Sequence, residues 1–126
     1  MNEKKIVLSI DDSAVQHSIF QNMLTPRYDL RTVNSASNAL NYLNNHKVDV
    51  ILLDIEMPNV SGFDFLYDIR KIPSYMDVPI IIVSGKIGRE FLNEAKNSSA
   101  FAVLAKPVEP KTLVETIEDS LAAKRK

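Results

Sequence analysis

Val48-Asp49-Val50-Ile51-Leu52-Leu53-Asp54 is a short, β-branched apolar run that stops at an acid. Three further runs have the same form. Ile6-Val7-Leu8-Ser9-Ile10 stops at Asp11-Asp12, Val78-Pro79-Ile80-Ile81-Ile82-Val83 at Ser84, and Phe101-Ala102-Val103-Leu104-Ala105 at Lys106. Runs this short and this apolar read as strands buried on both faces of a parallel sheet. In an open parallel sheet, ligands bind beyond the carboxyl ends of the strands. The sequence therefore predicts that three carboxylates, a hydroxyl and an ammonium meet at one edge of the molecule.

Segments of helical period separate the runs. Val15, Ile19 and Met23 fall four apart, with Phe20 and Leu24 beside them. Ala36, Ala39, Leu40 and Leu43 make a second stripe, and Phe65, Leu66, Ile69 and Ile72 a third. Ile87, Phe91, Leu92 and Ala95 make a fourth, and Leu113, Val114, Ile117 and Leu121 a fifth. Each stripe predicts an amphipathic helix with one face on the core. Pro26 and Pro73 stop helices, Ser35 suits a cap, and Pro110 suits a first helical turn. Leu30-Arg31-Thr32-Val33 reads as a weaker strand at a sheet edge. The order is βα five times over, which predicts an α/β fold with a doubly wound, five-stranded parallel sheet.

At 126 residues, the chain is expected to form one domain spanning 1–126. Its 45% hydrophobic and 25% charged residues are values of a globular protein. With no cysteine, disulfides, thiol nucleophiles and cysteine–metal sites are excluded. The net charge of −1 argues against a nucleic-acid surface, which needs a concentrated excess of Lys and Arg. No apolar stretch approaches the ~20 residues of a membrane span. The run after Met1-Asn2-Glu3-Lys4-Lys5 is too short for a signal-peptide core, so the expected location is cytoplasmic. The basic end, Lys124-Arg125-Lys126, reads as cations complementing a helix dipole.

Asp11 and Asp12 stand where a nucleotide-binding sheet places glycines to receive phosphate on backbone amides. Two carboxylates repel bare phosphate and attract a hard cation. Alone, the pair would be a helix cap. With Asp54 at a neighbouring strand end it becomes a three-carboxylate oxygen site, and Mg²⁺ suits it. Asp54 itself can act as a nucleophile, because carboxylates form aspartyl-phosphate. Met57-Pro58 and Gly62 would then turn the following loop sharply clear of the acid. An EF-hand reading of Asp54-x-Glu56 fails: Asn59 stands where that loop needs Gly, and Phe65 where it needs the bidentate Glu. Ser84 lacks the surroundings of a nucleophile elbow, and Gly85 leaves space beside its hydroxyl. Lys106, inside an apolar strand end, should find an anion. The proline after it suits a cis bond that would aim the lysine inward. His17 and His46 have no ligand spacing and read as surface or partner-facing.

Taken together, Ile10-Asp11-Asp12-Ser13, Leu53-Asp54-Ile55-Glu56-Met57-Pro58 with Gly62, Val83-Ser84-Gly85 and Ala105-Lys106-Pro107 resemble the receiver domain of two-component response regulators, of the chemotaxis-regulator kind. The resemblance runs from Ile6 to the last helix. It implies a flavodoxin-like three-layer sandwich with strand order 2-1-3-4-5. It implies that Asp54 is phosphorylated by a sensor histidine kinase or a phosphotransfer protein. Asp11, Asp12 and Asp54, with the main-chain carbonyl of Glu56, would hold Mg²⁺. Lys106 would pair with the phosphoryl group and Ser84 would hydrogen-bond to it, so catalysis is positioning and charge neutralisation. Such a domain catalyses only its own phosphorylation and dephosphorylation. Homodimers through the fourth helix, last strand and last helix are implied.

Ser84 stands for the commoner Thr, and the hydroxyl is kept. Val103 stands where the family usually has a rotating Tyr or Phe; Phe101, on the same face, starts too far down the strand to replace it. Signal output is then expected to move through Gly85-Lys86-Ile87-Gly88. Glu56 puts an acid at a position that in this family tunes phosphoryl lifetime. Rival readings are an aspartyl phosphatase, which usually needs Asp where Glu56 stands, and a flavin binder, disfavoured by Asp11-Asp12. Two variants of the receiver reading stand beside it: a receiver-like module that signals without phosphate, and a receiver excised from a larger regulator or hybrid kinase.

Overall fold

The computed structural model describes residues 4–56, 62–85 and 87–124; Met57-Pro58, Lys86 and the Arg125-Lys126 end lie outside them. The elements are β1 (Ile6–Ile10), α1 (Ala14–Leu24), β2 (Asp29–Val33), α2 (Ala36–Asn45), β3 (Val50–Leu53), α3 (Gly62–Arg70), a 3₁₀ turn (Pro73–Tyr75), β4 (Ile80–Ser84), α4 (Arg89–Asn97), β5 (Ala102–Ala105) and α5 (Pro110–Lys124). The sheet runs β2-β1-β3-β4-β5 with every neighbouring pair parallel. This is the α/β, flavodoxin-like order the sequence predicts.

Strand side chains alternate between faces, and the two faces bury separate cores. Leu8, Ile10, Ile51, Leu53, Ile80 and Ile82 pack with α2 and α3 through Ala39, Leu43, Phe65, Leu66 and Ile69. Val7, Val50, Leu52, Ile81 and Val83 pack with α1 and α5 through Phe20, Leu24, Leu113, Ile117 and Leu121. On the first face α4 adds Ala95 and Phe91, whose ring meets Phe63 edge-on at 5.5 Å.

Several boundaries differ from the sequence reading. β3 starts at Val50, because Asp49 turns to the end of β1, its Oδ2 accepting the Ile6 amide at 2.7 Å. β4 starts after Pro79, which has no N–H for the ladder, and Ser84 is its last residue, paired with Ala105. Phe101 falls outside β5 and is 41% exposed. The α1 stripe also differs. Phe20 and Leu24 are buried, whereas Val15 and Ile19 are 70% and 40% exposed. Ser13 and Ser35 both cap helices, accepting the Gln16 and Asn38 amides at 3.1 Å. Pro110 opens α5 as expected, while α3 ends at Arg70 and Pro73 opens the 3₁₀ turn.

Gly62 sets how closely α3 approaches the residue after Asp54. A Cβ there would lie 2.5 Å from Ile55 Cα and 2.7 Å from its carbonyl oxygen. In a free helix Gly→Ala gains about 1 kcal/mol. Here the clash is with backbone, so Gly62→Ala should destabilise by about 1–3 kcal/mol. Urea unfolding checks this; a rise in the midpoint would contradict the close approach.

Candidate functional site

The sheet register explains how distant residues meet. Ile10 pairs with Leu53, so Asp11 and Asp54 each stand one residue past a matched strand end. Ser84 pairs with Ala105, which brings Lys106 to the same edge. Main-chain bonds extend the ladder into the site: Asp54 N to Ile10 O at 3.0 Å, Asp11 N to Val33 O at 3.1 Å, and Lys106 N to Ser84 O at 2.9 Å. The Lys106–Pro107 bond is cis.

Asp11 and Asp54 are buried and Asp12 is exposed. The Lys106 ammonium bridges the buried pair, donating to Asp11 Oδ2 at 2.9 Å and Asp54 Oδ2 at 3.3 Å. Their other oxygens accept backbone amides, Asp11 Oδ1 from Ser13 and Asp54 Oδ1 from Glu56, both at 2.9 Å. Oxygens of Asp11, Asp12 and Asp54 lie within 4.8 Å of one another. Three carboxylates thus face one ammonium. Hard oxygen donors with uncompensated negative charge are the donor set of a divalent cation such as Mg²⁺. Burial pushes the Asp54 carboxyl above the ordinary carboxylate range. The Asp11 charge adds to this, and the Glu56 amide and Lys106 only partly pull it back. Burial alone would lower Lys106, but its bond to Asp11 and the two neighbouring charges outweigh that and raise it.

Glu56 takes a direction that its place in the sequence does not announce. Its carboxylate is directed to the end of β4, where Oε1 accepts the Ser84 hydroxyl at 2.9 Å and the Gly85 amide at 3.1 Å. His17 corrects the sequence reading. It is half-buried, and its Nε2–H donates to the Asp11 carbonyl at 2.7 Å, while Nδ1 is buried without a partner among the described residues. No ligand motif announces that bond; only the seating of α1 creates it. His46 is on the surface as expected, its ring stacked on Tyr42.

The response regulator receiver domain family matches this sequence over residues 7–118. The 3',5'-cyclic-nucleotide phosphodiesterase regA of Dictyostelium discoideum is 30% identical over 127 residues, covering 95% of this chain. The chain spans only 16% of that protein's length. Among solved structures, a CheY-like response regulator receiver domain protein from Methanospirillum hungatei superposes with a TM-score of 0.89, at 25% identity and 98% coverage of both chains. The chemotaxis response regulator CheY4 of Vibrio cholerae gives a TM-score of 0.86 at 29% identity, covering 94% of this chain and 100% of that one.

The Asp54 shift has a consequence for stability. Between the ordinary value of 3.8 and the raised folded value, the native state holds more protons than the unfolded chain. Stability therefore falls as pH rises through that window, and ionised Asp54 is a cost at neutral pH. In EDTA near neutral pH, Asp54→Asn should unfold at higher urea than wild type. The gap should close as the pH falls to 3.8 and below. Urea titrations across pH test this, and a less stable Asp54→Asn at neutral pH would contradict it.

Proposed function

The chain belongs to the response regulator receiver domain family, and on that premise we propose that it is a phosphoacceptor switch modified at Asp54 in a Mg²⁺-dependent reaction. The observation that carries this is the Lys106 bridge between Asp11 and Asp54, with Asp12 alongside. Asp11, Asp12 and Asp54, with the Glu56 main-chain carbonyl, would hold the ion, which when bound neutralises charge on the transferring group. The donor is a phosphohistidine on a sensor kinase or phosphotransfer protein. A carboxylate oxygen of Asp54 attacks phosphorus, the P–N bond breaks, and the imidazole leaves with its electron pair. Lys106 then shifts from carboxylate to phosphoryl oxygen, and Ser84 hydrogen-bonds to another. Removing bulk water from a buried nucleophile strengthens each of these contacts.

Exposed apolar residues support the protein partners. Val15 and Ile19 lie one turn apart on α1, whose cap Ser13 follows Asp12 directly. A donor reaching Asp54 would cover them. Leu92 on α4 and Phe101 before β5 are exposed as well, and a second copy or output partner would use the α4-β5-α5 side. The modification is of the protein itself, without turnover of a separate substrate. No described helix is long and apolar enough to cross a membrane.

Intact-mass measurement after incubation with acetyl phosphate and Mg²⁺ tests the reading. Wild type should gain one phosphoryl group, and Asp54→Asn or excess EDTA should abolish the gain. Equal labelling of wild type and Asp54→Asn would overturn it.

A further inference from the structure

Ser84 and Gly85 together present a hydroxyl and an amide that converge on a single oxygen. In this structure that oxygen belongs to Glu56, at 2.9 Å from Ser84 Oγ and 3.1 Å from Gly85 N. Two donors aimed at one carboxylate oxygen form a notch for an anionic oxygen, and hydrogen bonds to a charged acceptor are stronger than neutral ones. Ser84 is also the hydroxyl assigned above to the phosphoryl group. Its hydrogen cannot be given to both acceptors at once.

We propose that Glu56 is an internal occupant of the phosphoryl-oxygen notch, a latch that the phosphoryl group on Asp54 must displace from Ser84 and Gly85. The inference rests on the phosphoacceptor reading of Asp54. Glu56 lies two residues past Asp54, and its own amide is bonded to Asp54 Oδ1. Its main chain is thus fixed at the site while its side chain closes over the end of β4. In the unmodified protein the latch ties the loop after β3 to the start of the β4–α4 connection. In the modified protein a phosphoryl oxygen takes the two donors, and the Glu56 carboxylate leaves toward solvent, driven also by repulsion between like charges. The same event breaks one tie between β3 and β4 and makes another. The switch would therefore be felt first by the segment leading into α4, where Gly88 has no heavy atom near the position of a Cβ. No aromatic is needed at Val103 for this movement.

Competition has a defined size. When a binding-competent state is a fraction of the population, the apparent dissociation constant rises by the inverse of that fraction. A latch closed nine times in ten weakens a phosphoryl analogue about tenfold.

The probe is beryllofluoride in saturating Mg²⁺, with binding to the full chain followed by calorimetry. Glu56→Ala should bind on the order of tenfold more tightly than wild type, and Glu56→Gln by less. A diffuse charge effect is separated from the latch by repeating the comparison in Ser84→Ala. There one of the two donors is gone, and the gain from Glu56→Ala should shrink at least threefold. Without the probe, the Gly85 amide should exchange with solvent faster in Glu56→Ala than in wild type. Unchanged or weaker binding by Glu56→Ala, an equal gain in both backgrounds, or unchanged Gly85 exchange would each overturn the latch. If neither wild type nor any Glu56 variant bound beryllofluoride, the phosphoacceptor reading itself would fail. Binding by wild type with no gain in Glu56→Ala defeats the latch alone.

Discussion

The Lys106 ammonium lies 2.9 Å from Asp11 and 3.3 Å from Asp54, and the carboxyl edge of the sheet is organised around that contact. Two buried carboxylates beside an exposed third would repel one another without it. Removing the ammonium would leave two buried carboxylates uncompensated, which is strongly destabilising. The bridge is also incomplete, because one positive charge faces three negative ones. That imbalance leaves the site short of cationic charge. A divalent cation would supply the missing charge.

The sheet makes this possible by geometry. Every strand is parallel, so all five carboxyl ends lie at one edge. Two separate cores, one per face, fix the strands against their helices. The central strands β1 and β3 carry the acids and β5 carries the lysine, with β4 between them presenting Ser84. Strand ends are thus rigid supports for side chains that must act at ångström precision. Beyond the strand ends, Glu56 adds a tie to Ser84 and Gly85.

Short continuous apolar runs and period-3.6 stripes determine the order of strands and helices along the chain, so the β3 run ending at Asp54 and the α2 stripe of Ala39 and Leu43 are legible directly. The convergence of Asp11, Asp12, Asp54 and Lys106 follows from parallel strands alone. Val15 and Ile19 mislead because α1 carries two apolar stripes, and periodicity cannot say which one faces the sheet. Val15 and Ile19 form the exposed one, and Phe20 and Leu24 the buried one. His17 and Glu56 are illegible for another reason. A histidine's bond to the Asp11 carbonyl and a glutamate's turn toward β4 depend on side-chain direction and on distances set by tertiary packing, which no residue pattern encodes.

The central claim is that the carboxylate edge is built short of one divalent cation. Thermal unfolding of wild type and Asp12→Asn over a Mg²⁺ titration tests it most directly, since an ion bound only by the folded state stabilises by about 2.7 kcal/mol at a hundredfold excess over its dissociation constant. The account predicts a melting temperature that climbs with Mg²⁺ in wild type and stays nearly flat in Asp12→Asn. A flat wild-type curve, or an equal climb in both proteins, would contradict it.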